Sequence, residues 1–320
     1  MRLQCDFCYH HCRLDECERG LCSVREQKDG VLVTRSYGEL VALAVDPVEK
    51  KPLYHFLPFT KTLSLAMFGC NLSCTFCQNH QISQAGYEKE HVYRHVDAKQ
   101  IPLMAKEMRC PSVSFTYSEP LVWQDYLMEV AAACKEASLA TIMVTNGTFS
   151  EEALIRLKPL IDAFNINVKG DEQFYREMCN GSLKPVLRGL DVLAKGPAHV
   201  EVTTMVMETR HSLENIRTMG RLLGDLGVQV WHLSRYFPRY LCTDPPTSEA
   251  YLQEALSVAC LSSIPYVYAG NSSLGQGTSC PSCHTLLIED RMARDAGYAK
   301  PLDRGVCPQC GAAIYGRFQA

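Results

Sequence analysis

With 320 residues, 47% of them hydrophobic and 21% charged, the chain has the composition of an ordinary globular protein and enough length for one large core with small appendages. A net charge of −3 leaves no electrostatic footprint for nucleic acid, which argues against nucleic acid as a partner. Met1-Arg-Leu-Gln-Cys5 lacks the apolar core of a signal peptide, and no apolar run approaches the roughly 20 residues a bilayer requires; a cytoplasmic protein with no membrane partner is expected.

Three zones follow one another. Residues 1–60 form a cysteine-rich extension ending in a hairpin-like stretch, Val31 to Thr34 and then Leu40 to Ala44, with Gly30 and Gly38 suited to turns. Residues 61–270 alternate short apolar runs with helix-period stretches. Strands are expected at 62–68, 112–115, 140–144, 163–168, 200–205 and 228–233, and helices at 119–137, 151–160, 184–194 and 213–226. That alternation predicts an α/β fold with a parallel sheet, and six units fit a partial, open (β/α)6 barrel. Residues 271–320 open with a Gly/Ser-rich linker, Gly270 to Gly277, and end in two Cys-x-x-Cys knuckles. Function in parallel sheets gathers at the carboxyl ends of the strands, where Cys70, Glu119, Asn146 and Lys169 fall in turn.

Seventeen cysteines in a chain with no export signal point to metal rather than disulfides, and most gather in three groups. The central group, Cys70-x-x-x-Cys74-x-x-Cys77, follows directly on a predicted strand, and Gly69 lets the loop leave that strand where a side chain would hinder it. Four thiolates would close a cubane; three leave one iron open to a ligand.

This motif, with the aromatic Phe76 before the third cysteine, resembles the signature of the radical S-adenosylmethionine (SAM) superfamily. The resemblance implies a [4Fe–4S] cluster on Cys70, Cys74 and Cys77 whose open iron is chelated by SAM. It further implies reductive cleavage to a 5′-deoxyadenosyl radical, which takes hydrogen from substrate. Thr116-Tyr-Ser-Glu119-Pro120 is similar to the strand-end motif that meets the methionine amino group, Thr145-Asn146-Gly147 to the third-strand turn, and Asn167-Val-Lys169 to the Asp-Leu-Lys of glycyl-radical activating enzymes. Lys169 would then pair with the methionine carboxylate. The bland alternatives are a helix-capping Glu119 and a solvated Lys169.

A resemblance over nearly the whole chain is to the AmmeMemoRadiSam branch of activating-enzyme-like proteins, carried by Cys5-Asp-Phe-Cys8 with Cys12 and Cys22, Asp46 to Phe56, the triad with Gln78-Asn79, Trp231 to Tyr236, and Tyr268 to Asn271. It implies a protein or peptide substrate, a flavodoxin- or ferredoxin-type electron donor, and Memo-like and AMMECR-type partner proteins. The stretch Val206-Met-Glu-Thr-Arg-His211 departs from the pattern of that family. His232 and Arg235, at the sixth strand's end, are secondary candidates for contact with the cofactor or substrate, with a satisfied structural role competing; His55 and Lys50, before the barrel, are expected to line its mouth or to form a packed, hydrogen-bonded pair.

Cys280, Cys283, Cys307 and Cys310 have the spacing of a four-cysteine zinc ribbon, either a docking module or a clamp on the barrel. Cys5, Cys8 and Cys12 form a second quartet with Cys22 or Cys17, the knuckle-like Gly20-Leu-Cys22 favouring Cys22 and leaving Cys17 as a spare; zinc is the first reading, and an auxiliary [4Fe–4S] cluster is also compatible with four thiolates. Of the scattered cysteines, which include Cys110, Cys134, Cys179 and Cys260, Cys242 is a catalytic candidate. The competing readings of the whole are a radical SAM enzyme of RNA modification and a metal-binding adaptor with no chemistry.

Overall fold

The computed structural model describes residues 1–84, 94–274, 277–289, 302 and 305–319. Its main sheet has eight strands in sequence order: β1 (Ala42–Pro47), β2 (Lys61–Ala66), β3 (Ser112–Phe115), β4 (Ala140–Thr145), β5 (Ala163–Asn167), β6 (His199–Val206), β7 (Val230–Arg235) and β8 (Tyr266–Gly270). β1 pairs antiparallel with β2, and each later neighbour is parallel. Parallel pairing demands crossovers, supplied by α1 (Gln100–Glu107), α2 (Gln124–Glu136), α3 (Glu151–Leu157), the pair α4 (Glu172–Cys179) and α5 (Leu183–Ala194), α6 (Leu213–Asp225) and α7 (Glu249–Ala259). The sheet does not close: this is the expected α/β partial barrel, with β8 added as a seventh parallel strand.

Local chemistry explains the helix starts. Ser150, Asp171, Ser182, Ser212 and Ser248 each cap a helix by accepting a backbone N–H two or three residues on, and Asn215 returns the bond to Ser212. α6 then buries Ile216, Met219, Gly220 and Leu223, one stripe at helical spacing.

Strand alternation divides the sheet into an apolar outer face and a polar inner one. Val113, Phe115, Phe164, Ile166, Val202, Trp231 and Leu233 are buried on one face. The intervening positions, Thr62, Ser64, Ser112, Ser114, Asn165, Glu201, Thr203 and His232, are buried too, and most are satisfied internally. Thr62 Oγ1 meets Ser114 Oγ at 2.7 Å, and Asn165 Nδ2 donates to Thr203 Oγ1 at 2.9 Å.

Two expectations are corrected. Val31–Thr34 pairs with Arg25–Lys28 across the Asp29-Gly30 turn, not with the stretch that begins at Leu40; that stretch becomes β1, because its register places Leu43 and Val45 opposite Leu65 and Leu63. Tyr266–Gly270, not among the expected strands, completes the sheet against β7. Gly275 and Gln276 of that linker, and most of the insert between the terminal knuckles, lie outside the described residues.

The tail docks at the strand-start end. Tyr315 accepts from His55 Nδ1 at 2.7 Å, Arg317 N donates to His55 O at 2.8 Å, and Ile314 and Phe318 join a cluster with Tyr54, Val230, Tyr266 and Tyr268. Among the described residues no helix is long and apolar enough to cross a membrane.

Candidate radical site

A cavity of about 440 Å³ opens at the carboxyl ends of the strands, and its wall includes Cys70, Cys74, Cys77, Glu119, Asn146 and Lys169. The triad loop leaves β2 through Gly69, whose φ of +102° suits glycine; a Cβ there would lie 2.9 Å from Cys22 O. The loop is anchored from α4, where Ser73 N donates to Cys179 O and Thr75 N to Met178 O, each at 2.9 Å.

Burial raises the Cys70 and Cys77 thiols. Cys74 moves the other way, because Cys179 hydrogen-bonds it and Lys169 attracts its thiolate, more than offsetting its burial. Cys179 is driven up by the same bond. Lys169 sits half-buried in the cavity. Burial opposes its charge, yet the thiols of Cys74, Cys179, Cys70 and Cys77 together hold its pKa above the ordinary value. Its Nζ has no hydrogen-bond partner among the described residues, whereas its main chain is fixed on both sides: its N donates to Tyr175 Oη at 3.2 Å and its O meets His211 Nε2 at 3.0 Å. This is a positioned, unpaired cation.

Glu119 has both of the roles weighed for it. It lines the cavity and caps the short helix Pro120–Trp123, accepting from Leu121 N at 3.1 Å. Thr145 Oγ1 and Asn146 N donate to it at 2.6 and 2.7 Å, but burial outweighs them and lifts its pKa to about 6. Asn146 Nδ2 donates to Asn71 Oδ1 at 2.8 Å and lies 3.8 Å from Cys70 Sγ. Asn167 lines the cavity and spends its amide on Thr145 O at 3.2 Å, so it supplies no charge.

Other candidates lie elsewhere. His232 points into the barrel floor, where Nε2 meets Glu201 Oε2 at 2.6 Å; His199 Nε2 is 2.9 Å from the other oxygen, and Tyr54 N and His55 N donate to the same carboxylate. Burial opposes the Glu201 charge, yet the two histidine bonds hold its pKa well below the ordinary range. Arg235 pairs with Glu249 at 3.0 Å and bonds Thr247 O. Cys242 is buried with its N donating to Thr75 O at 3.0 Å, behind the triad loop rather than on the cavity wall. His55 is held by Tyr315 and Tyr268, while Lys50 does reach the wall.

Sequence reasoning passed over Cys179, His211 and Lys51. Cys179 was one of several scattered cysteines and carries no spacing to the triad. His211 lies in the stretch that departs from the family pattern; its Nδ1 accepts Met207 N at 3.0 Å, which leaves Nε2 to donate to Lys169 O. Lys51, buried on the cavity wall, is paired to Asp46 at 2.8 Å.

The terminal cysteines converge. Cys280, Cys283, Cys307 and Cys310 have ligand atoms all within 4.8 Å of one another, with Cys280–Cys310 and Cys283–Cys307 sulfur pairs at 3.7 and 3.6 Å. Four sulfurs so close suit one tetrahedral metal ion.

The donor set of the cavity fits a three-thiolate cluster with an amino-acid ligand: three thiols, an unpaired lysine for a carboxylate, and the Glu119 carboxylate for an amine. Comparison with known proteins agrees. The model of the radical SAM superfamily matches residues 65–223. An uncharacterized protein of Methanocaldococcus jannaschii is 36% identical over 98% of this chain and 95% of its own length. A protein of the same organism named as a glycyl-radical enzyme activating enzyme is 25% identical over 50% of this chain and 67% of its own. Streptococcus suis SuiB, solved with its precursor peptide SuiA, shares the fold at a TM-score of 0.50 and 15% identity, covering 70% of this chain and 51% of that one. The chain is an enzyme and belongs to the radical SAM superfamily.

Proposed function

We propose that Cys70, Cys74 and Cys77 hold a [4Fe–4S] cluster at which SAM is cleaved reductively, so that hydrogen is taken from a protein or peptide substrate in the manner of an activating enzyme. When bound, the cluster and SAM supply an electron and a 5′-deoxyadenosyl radical. The chain's own residues bind and orient. Lys169 offers its Nζ to the methionine carboxylate, Glu119 and Asn146 face the amine, and the closely packed barrel floor keeps water from the reacting carbon. The observation that carries this reading is the unpaired Lys169 Nζ in the one cavity that also gathers the three thiols. The named activating enzyme and peptide-bound SuiB among similar proteins favour a polypeptide substrate. A low-potential flavodoxin or ferredoxin is the electron donor of this reading, and Memo-like and AMMECR-type proteins are its partner class. Zinc is the metal we assign to the terminal four cysteines.

The test is anaerobic reconstitution with iron and sulfide, then reduction in the presence of SAM. The wild type forms 5′-deoxyadenosine; Cys74→Ala loses both the cluster's absorption and the product. Cleavage surviving in Cys74→Ala overturns the reading.

A further inference from the structure

The quartet Cys5, Cys8, Cys12 and Cys22 lines one small cavity together with Arg25 and Asn71. Gly20 sits beside it: a Cβ there would lie 3.7 Å from both Cys12 Sγ and Cys22 Sγ. The four sulfurs therefore face a common interior, and no disulfide links them.

Their spacing differs from that of the tail. With Zn–S bonds of about 2.3 Å, a tetrahedral zinc site brings its sulfurs to about 3.8 Å from one another. The terminal quartet is at that distance, and among the described residues it is the one cysteine group that draws its ligand atoms within 4.8 Å of one another. The N-terminal quartet stands wider, and so does the triad of Cys70, Cys74 and Cys77. A cubane carries its thiolates on four separate irons and needs this wider spread.

A second feature points to an occupant. Arg25 is buried, and Nη1 is spent on Thr34 and Asp125 at 2.8 and 2.9 Å. Its Nε, equally buried, makes no well-formed hydrogen bond; toward the cavity the guanidinium reaches only the thiol of Cys5, and it lies over the Phe7 ring at 3.9 Å. A buried guanidinium N–H whose one neighbour is a thiol is poorly satisfied, and the sulfurs of an anionic cluster would satisfy it.

Position supplies the role. Asn71 follows Cys70 directly, lines the quartet's cavity, bonds Cys8 through its side chain and His10 Nε2 through its carbonyl at 2.9 Å, and accepts from Asn146 on the radical cavity's wall. Gly69 packs on Cys22 O. One turn of loop separates the two thiol sets, while Cys12 is half-exposed beside the exposed Leu21.

We propose that Cys5, Cys8, Cys12 and Cys22 hold a second iron–sulfur cluster, fully ligated by protein, that relays electrons to the radical cluster; this rests on the reading of the triad given above. A low-potential one-electron donor reduces the outer cluster by one electron. The outer cluster is reoxidised as that electron passes inward, so it is unchanged over a turnover. Four thiolates leave no iron open, which suits transfer and excludes SAM chelation.

The experiment compares metal content, electron paramagnetic resonance and two reductants in the full chain. Reconstituted wild type should contain roughly eight irons and show two reduced signals, one altered by SAM. Cys8→Ala/Cys12→Ala should lose about half the iron and the SAM-insensitive signal. Its flavodoxin-driven cleavage of SAM should fall at least tenfold, while dithionite, small enough to reach the inner cluster, still supports cleavage. Cys70→Ala/Cys74→Ala leaves the N-terminal quartet intact and should retain half the iron with a SAM-insensitive signal, so the site is tested even where the first variant misfolds. Zinc instead of iron in that second variant overturns the proposal, as does unchanged iron in the first. Wild type that keeps a SAM-insensitive cluster but never cleaves SAM sinks the triad reading and leaves the quartet's cluster standing.

Discussion

Lys169 shows how one residue's value depends on what is missing around it. Thiols surround its Nζ, the Glu119 carboxylate is close enough to feel its charge, and its main chain is pinned by Tyr175 and His211. If Lys169 holds the SAM carboxylate as proposed, Lys169→Ala removes one charge-assisted contact worth about 1.5–3 kcal/mol, so SAM affinity should fall tenfold or more while the cluster's absorption is kept; unchanged affinity by calorimetry returns Lys169 to a passive role. Asp46 is the opposite case, fully engaged. Burial alone would raise its pKa, but bonds from Lys51 and Tyr117 outweigh it and hold the carboxyl below its ordinary value. With the folded pKa depressed, this stabilisation is complete above about pH 5, a unit over the unfolded pKa, and drains away as pH falls further. The stability gap between wild type and Asp46→Asn in urea should therefore narrow from about pH 5 toward pH 3; a gap constant across that range contradicts the assignment.

At the scale of elements, the loop after β2 is held from two sides, by α4 through Cys179 and Met178 and by the N-terminal head against Gly69. Gly69→Ala asks an L-residue to take φ +102° with its Cβ 2.9 Å from Cys22 O. It should cost more than about 1 kcal/mol and depress iron incorporation. Ser248→Ala, which removes the cap of α7, an element that holds none of the thiols, should cost a similar ~1 kcal/mol with iron content unchanged. Equal iron loss in the two variants would mean that global stability, not loop geometry, limits cluster assembly.

For the whole molecule, the two ends of the barrel have separate tasks. The cavity occupies the carboxyl ends of the strands; the tail closes the other end through His55, Tyr315 and Arg317 over the buried Glu201 with its two histidines. The tail is thereby placed to act as a clamp, and the zinc proposed for its four thiolates would contribute folding energy to it. Cys310→Ser should lower the melting temperature and release one zinc, while SAM cleavage, referred to folded protein, is retained. A melting temperature that does not move would detach the metal from the clamp.

The sequence alone determined the alternation of strands and helices, because apolar period and serine caps are local properties; it placed the triad, Glu119, Asn146 and Lys169 at successive strand ends, where the structure gathers them on one cavity wall, and it marked the knuckles by their Cys-x-x-Cys spacing. Edge strands were less legible. Tyr266–Gly270 is short and ends beside a Gly/Ser stretch, and the partner of Val31–Thr34 is chosen by which surface is left to cover, a choice made between distant segments. His232 illustrates the remaining gap. Its place on a strand was readable, but its direction into the floor depends on Glu201, 31 residues away, which needs its proton donors. Cys179, His211 and Arg25 likewise gained their roles from contacts that no spacing encodes. Only the tertiary structure could set the sulfurs of one quartet close and those of the other wide, since separation in space is decided by how each loop is packed and not by the number of residues between its cysteines.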